Sequence, residues 1–450
     1  MLLQILTIAR NTFVESIRQP IFFVLVMVSG LLQLFNTWST GFAMGYTESG
    51  EVSGDNKLLF DVGLATVFVC GTLLAAFIAT AVVSREIENK TVLTVVSKPV
   101  ARPTLILGKY TGVAGAMLVA IVPMLIFLLM GIRHGVMSNA SDDIDGPVVL
   151  FTFLAIFLAI LIAAWCNFFY GWYFSQTCMV LLLPGMILAY VLVLLVSKKW
   201  QFQHLQDDFK PQITYACYAL TMALLVLTAV ATAVSTRLGQ VMTIVVCAGF
   251  FVFGLLTNHI IGRHVFHNSP VASIFSATAD DLTRPFWEKA GDGATITFQN
   301  PPSAPMRPGD TFYYGANPNG FPMSVTATPK FQGDVTRDTD LLGDDVPPAL
   351  VVVSHEGRTV KVRKAGNTPN VINPPQVRDY VFLEPTKVNY PALALWSLVP
   401  NMQYFWLVDA VSQNQPIPPR HLAMLTLYAA GQIGAFLCLG VVLFQRRDVG

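Results

Sequence analysis

The chain has 450 residues, of which 54% are hydrophobic and 12% charged, and its formal net charge is +1. That charged share is about half of what a soluble protein carries, and the balance offers no basic surface for a nucleic-acid partner. Uncharged runs recur, each long enough for the roughly 20 helical residues that cross ~30 Å of hydrocarbon, which makes the chain an α-helical polytopic membrane protein.

The first element is amphipathic. Leu2, Leu6, Ala9, Phe13 and Ile17 recur at helical spacing, with Gln4, Arg10, Glu15 and Arg18 elsewhere on the helix. This predicts an interfacial helix over residues 1–19, before Pro20 opens the first span. It lacks the basic start followed at once by a short apolar core that marks a cleavable signal.

Eight spans are expected, at about 20–38, 61–83, 110–132, 148–173, 177–197, 212–234, 239–261 and 421–444. The fourth and fifth come from Gly146 to Ser197, 52 positions without a charge. At 1.5 Å per residue this is ~78 Å of helix, too long for one crossing, so a turn is placed near residues 173–177. Arg237 marks the turn between the sixth and seventh spans. All six cysteines lie within spans and give no disulfide framework for the long polar region.

Lysine and arginine counts set the expected sides. With the N-terminus inside, the inner segments carry ten: Arg10, Arg18, Arg85, Lys90, Lys98, Arg102, Lys109, Arg237, Arg446 and Arg447. The short outer loops carry five: Lys57, Arg133, Lys198, Lys199 and Lys210. Both termini are therefore expected in the cytoplasm, with residues 263–420 outside a plasma or inner membrane. The expected domains are 1–19, a transmembrane region 20–262, the outer region 263–420, and a final span with its tail, 421–450.

The outer region holds 20 of the 27 prolines. Its runs ATITF, TFYYG, MSVTATPKF, ALVVVSHEGRTVKVRKA and DYVFLEP are β-branched or aromatic and are flanked by turn residues. A small β-rich domain is expected at about 290–390, between the last two spans, with a hairpin turning near Glu356-Gly357.

Catalytic signatures are missing from the sequence. No GxxxxGK[ST], HExxH, GxSxG or CxxC occurs. His264 and His267, with His259 nearby, are weak metal candidates, since no carboxylate or cysteine completes a ligand set. The spans carry essentially no ionisable residue, which disfavours an ion-coupled transporter. Asn36, Asn167, Gln240 and Gln432 suit ordinary helix packing.

Charge gathers instead at 84–109, where Arg85, Glu86, Glu88, Lys90, Lys98, Arg102 and Lys109 sit between two spans. Glu86 to Val96 predicts a short helix with acids in its first turn, a sticky run at Thr91, Val92, Leu93, Val95 and Val96, and a stop at Pro99. A stiff, partly apolar cytoplasmic helix suits a push from a soluble partner. The plain alternative is a loop that only fixes topology.

This segment resembles the first cytoplasmic loop of the ABC-2 type permeases, the membrane subunits of ATP-binding-cassette exporters. Glu86, Thr91, Ser97, Pro99, Val100, Arg102, Gly108, Lys109 and Tyr110 follow the order of that family's pattern, although Lys90 stands where glycine is usual. IARNTFVESIRQP and LVPNMQYFWLVDAV also resemble the family's opening and closing segments. Eight spans exceed the usual six, and the outer domain is an insertion.

The resemblance implies a permease without its own ATP site, paired with a second permease subunit and with cytoplasmic ATPase subunits that bind ATP and Mg. It implies that Glu86, Glu88, Thr91, Leu93, Val96, Pro99 and Arg102 form the coupling site and that membrane lipid surrounds the spans. The alternative is a membrane anchor or assembly factor whose outer β domain binds a partner.

Overall fold

The computed structural model describes residues 2–39, 54–84, 101–136, 144–281, 286–287, 289–315, 331, 333–342, 346–366, 374–412 and 417–445. They fall into two compact units, 1–253 with 402–450 and 254–401.

In the first unit α1 (Leu2–Arg18) is followed by α2 (Pro20–Ser39), α3 (Gly54–Ala79), α4 (Arg102–His134), α5 (Gly146–Tyr170), α6 (Phe174–Leu195) and α7 (Pro211–Ser235). Helix α8 (Gln240–Ile260) leads into the second unit. Among the described residues eight helices are long and apolar enough to cross a membrane: α2 to α8 and the helix Pro419–Gln445. Each coincides with an expected run, but α4 begins eight residues before the run at 110–132. Lys109 is thereby drawn into a span that seemed free of charge.

The turn that divides the long uncharged stretch lies at residues 171–173, slightly ahead of its expected place. Gly171 adopts φ +67°, a left-handed conformation that costs glycine little. Its N–H donates to Asn167 O at 3.1 Å, and Asn167 Nδ2 donates to Trp172 O at 2.6 Å. Asn167 closes this turn.

Helices α3, α4 and α7 form the centre of the bundle. Ala76, Ala79, Ala116, Ala120, Ala219, Ala229, Ala231 and Ala233 are all buried there. Small residues let helix backbones approach closely, which is what holds helices together where lipid removes the hydrophobic difference. Thr228 and Thr232 are buried on α7 and return their hydroxyls to Leu224 O and Thr228 O, both at 2.7 Å. Helices α5 and α8 are mostly exposed, and Phe153, Phe157, Trp165 and Phe168 project from α5.

The second unit is built on strands. Its main sheet has the order β4 (Tyr313–Gly315), β7 (Tyr380–Phe382), β2 (Ala272–Ala279), β3 (Gly293–Phe298), β6 (Thr359–Ala365), β5 (Ala349–Glu356), antiparallel throughout. The sheet also curls on itself. Phe312 N donates to Leu350 O at 2.7 Å and Val352 N to Asp310 O at 2.9 Å, so residues 309–315 pair with β5 on one side and β7 on the other. This contact makes a half-barrel and covers part of the two outer strands, whose open edges would otherwise invite aggregation. Inside lie Trp287, Phe298, Phe312, Tyr313, Tyr314 and Phe382, with Trp287 Nε1 donating to Tyr314 Oη at 2.9 Å.

Four of the five expected strand runs are strands, and MSVTATPKF, apart from Phe331, lies outside the described residues. The β region also reaches further back than the expected 290–390. Strand β2, Ala-Ser-Ile-Phe-Ser-Ala-Thr-Ala, joins β7 to β3, and its small and polar residues hid it from pattern reading. A second ladder pairs β1 (Phe266–His267) with β8 (Lys387–Val388). Helix α9 (Tyr390–Leu398) then leads toward α10 (Pro419–Gln445).

Candidate partner-coupling end of the bundle

The expected coupling residues Glu86, Glu88, Thr91, Leu93, Val96 and Pro99 lie outside the described residues. Both flanks of their segment are described. The entering flank is the last turn of α3, which widens to a π-helix over Thr80–Ser84. The leaving flank is Arg102, at the first turn of α4. The two flanks are tied together. Lys109, buried on α4, donates from Nζ to Val82 O in the π turn at 3.0 Å. A π turn leaves backbone carbonyls out of the regular ladder, and an ammonium with three donors is suited to hold one of them.

Around this pair the bundle gathers its other elements of the same end. Arg102 Nη1 donates to Gln445 O at 2.9 Å, with the guanidinium 5.8 Å from the Phe444 ring. Arg237 Nε donates to Leu443 O at 2.8 Å. Arginines at the last carbonyls of α10 also meet the negative end of its dipole. Val83, Leu105, Ile106, Tyr110, Ala229, Leu437 and Phe444 pack beneath them as one apolar cluster.

Helix α1 completes this end by lying against α4 at very close range. A Cβ on Gly108 would stand 2.8 Å from Ile8 Cβ, and one on Gly112 only 2.5 Å from Ala9 O. Thr12, Ser16 and Ile17 are buried, whereas Leu2, Leu3 and Leu6 are exposed. The docked face is therefore not simply the most apolar one, and the free leucines suit the interfacial position expected for this helix. Its end is fixed by Arg18 Nε, which donates to Gln176 Oε1 at 2.8 Å, and by Ser175 Oγ, which donates to Gln19 O at 3.0 Å.

The opposite end has its own polar junction. Arg133 in the last turn of α4 reaches Asp145 at 2.5 Å and Asp208 at 2.9 Å. Asp145 is fully buried and also accepts from Val148 N at the start of α5. Gln203 Nε2 donates to Asp208 and, at 3.1 Å, to Leu194 O.

The histidine candidates are in neither place. His264 stands beside Arg263, whose Nε lies 3.1 Å from its Nε2, and His267 pairs across the ladder with Lys387. Two cations next to the imidazoles oppose a third. No group of three or more metal-ligating residues occurs among the described residues.

Sequence reasoning used Lys109 as a topology count and as part of the Gly-Lys-Tyr pattern, and Arg237 as a count and a turn marker, but gave neither a contact. Their structural roles, one in a clamp and the other at the end of α10, depend on helices far apart in the chain. The one local signal was Gly108-Lys109-Tyr110, which joins a close-approach glycine to the clamp.

A polytopic helical bundle of eight candidate spans with a separate β unit defines a membrane protein. Residues 59–240, from α3 to the first residue of α8, match the family described as ABC-2 family transporter protein, so this part of the chain is similar to an ABC-2 type permease. No curated protein and no solved structure matches the chain.

Proposed function

We propose that the chain is the permease subunit of an ATP-binding-cassette exporter, driven by a separate cytoplasmic ATPase that binds the Glu86–Val96 segment. The observation that carries this is the clamped end. Both flanks of the segment, the α1 helix and the end of α10 meet there, so a force on the segment reaches α1, α3, α4 and α10 together. The family match spans the segment itself and supports a transport role.

ATP and Mg belong on the ATPase, and a second permease subunit completes the assembly. The basic residues Arg10, Arg18, Arg102, Lys109 and Arg237 all fall on the elements of this end, which supports placing it in the cytoplasm and residues 263–420 outside.

Leu93→Asp is the test. A charge in an apolar docking pocket costs several kcal/mol if it stays unpaired, so the purified variant should be made at normal levels yet lose the ATPase and transport. Arg102→Ala should act more mildly, because it loosens the segment's flank without entering the pocket. Normal ATPase retention and transport in Leu93→Asp would remove the coupling role. For the sides, Lys361→Cys in a cysteine-free background should react with an impermeant maleimide in intact cells, and labelling only after lysis would reverse the orientation.

A further inference from the structure

An apolar helix stands outside all of the spans. Helix α9 has the sequence Tyr-Pro-Ala-Leu-Ala-Leu-Trp-Ser-Leu, and none of its nine residues is buried. Tyr390 is 74% exposed, Leu395 53% and Leu398 75%. The chain carries no charged residue between Lys387 and Asp409. In water such a helix would be a costly surface, since exposed contiguous apolar area marks a contact with a partner or a membrane.

Its position along α8 decides which. Trp396 Nε1 donates to Asn258 Oδ1 at 3.2 Å, and Asn401 Nδ2 donates to the same oxygen. Thr257 Oγ1 donates to Pro400 O at 3.4 Å. A Cβ on Gly262 would meet the Trp396 indole at 3.3 Å, and Phe266 meets that indole edge to face at 6.1 Å. Asn258 lies eighteen residues along α8 from Gln240, which at 1.5 Å per residue is ~27 Å of a hydrocarbon layer ~30 Å thick. Trp396 is thus held at the edge of that layer, where tryptophan and tyrosine concentrate.

We infer that α9 is a membrane-surface helix: Tyr390, Leu395 and Leu398 enter the boundary of the leaflet at the end of α8, and their partner is lipid acyl chain. Each helix end has a cap of its own: Asn389 Oδ1 accepts from Ala392 N, and Val399 N donates to Leu395 O. The helix has no charged face to keep it in bulk water, and its depth is fixed by the span to which Asn258 belongs. It thereby holds the β unit's second ladder at the bilayer surface, since Asn389 N donates to Val265 O at 2.8 Å. This inference rests on the membrane location of α8 and not on an ATPase, so the two stand or fall separately.

Fluorescence quenching in lipid nanodiscs tests it on the full chain. Leu395→Cys, Leu398→Cys and, as a water-facing control, Lys361→Cys would each carry an environment-sensitive label in a cysteine-free background. The substituted side chains are exposed, so no core packing is lost. Phosphatidylcholine bearing a shallow nitroxide should remove most of the emission at 395 and 398 and leave 361 unchanged, while aqueous iodide should do the reverse. Nitroxide quenching at 395 and 398 equal to that at 361 would overturn the inference. Iodide quenching there would then mean bulk water, and protection from both quenchers would mean a protein cover, including a second copy of the chain.

Discussion

The two units of this chain differ in how their elements are brought together. The β unit buries Trp287, Phe298, Phe312, Tyr313, Tyr314 and Phe382. The helical bundle also buries large side chains such as Phe22, Phe60 and Phe127, but it adds many alanines, glycines and threonines along α3, α4 and α7, and it turns Phe153, Phe157, Trp165 and Phe168 outward. In water, the largest apolar surfaces go inside because their removal from solvent drives folding. In lipid that drive is absent between helices, so small residues that allow tight backbone contact gain weight and outward-facing large side chains cost nothing.

The comparison can be broken most severely at α1 and α4. Gly112→Leu would place its Cβ against the Ala9 carbonyl, and backbone cannot give way as a flexible side chain does. The folded fraction recovered as monodisperse protein should fall to near zero. Phe312→Ala, which empties a fully buried site in the half-barrel, should cost about 3–5 kcal/mol, read as a lower melting transition of the β unit with the bundle unaffected.

Arg133→Ala probes the bundle's polar exception. It leaves Asp145, fully buried, without its guanidinium, and breaking a buried pair from one side costs about 3–5 kcal/mol, somewhat less here because Asp208 is partly solvated. Asp145→Asn added to it should restore much of the loss in thermal stability.

The half-barrel has its own exception. Lys364 is buried, its Nζ donates to Trp287 O at 2.8 Å, and burial pushes its pKa below the ordinary value while Asp292 opposes that shift. The unfolded chain therefore binds the proton more readily, and stability should rise with pH on the approach to 10.5. Tyr314 works the other way: burial raises its pKa above 10.0, so the native state keeps a proton that the unfolded chain loses, and stability should fall above that pH. Lys364→Met should abolish the rise and keep the fall in a pH series of denaturant melts. The smallest effect is expected at Phe157→Ala on the outward face of α5. It should stay within about 0.5 kcal/mol, and a loss like that of Phe312→Ala would mean that a partner subunit covers this face.

All eight spans were legible in the sequence because each is a local property: a run of uncharged residues of a given length. The β-hairpin at residues 349–365 was equally legible, since β-branched runs around Glu356-Gly357 carry their own turn. Strand β2 was not, because Ser273, Ser276 and Thr278 dilute its apolar alternation and its place is fixed only by β3 and β7. Hydropathy also could not say which spans lie at the centre, because α5 is as apolar as α4.

The sequence by itself determined the membrane class, the number of spans and the insertion of a β unit. Tertiary structure alone decided that Lys109 clamps Val82, that Arg102 and Arg237 hold the end of α10, that residues 309–315 meet both β5 and β7, and that α9 is fastened to Asn258. Each of these depends on groups brought together from distant parts of the chain. Their hydrogen bonds are directional and short in reach, so no composition or periodicity along a single segment can announce them.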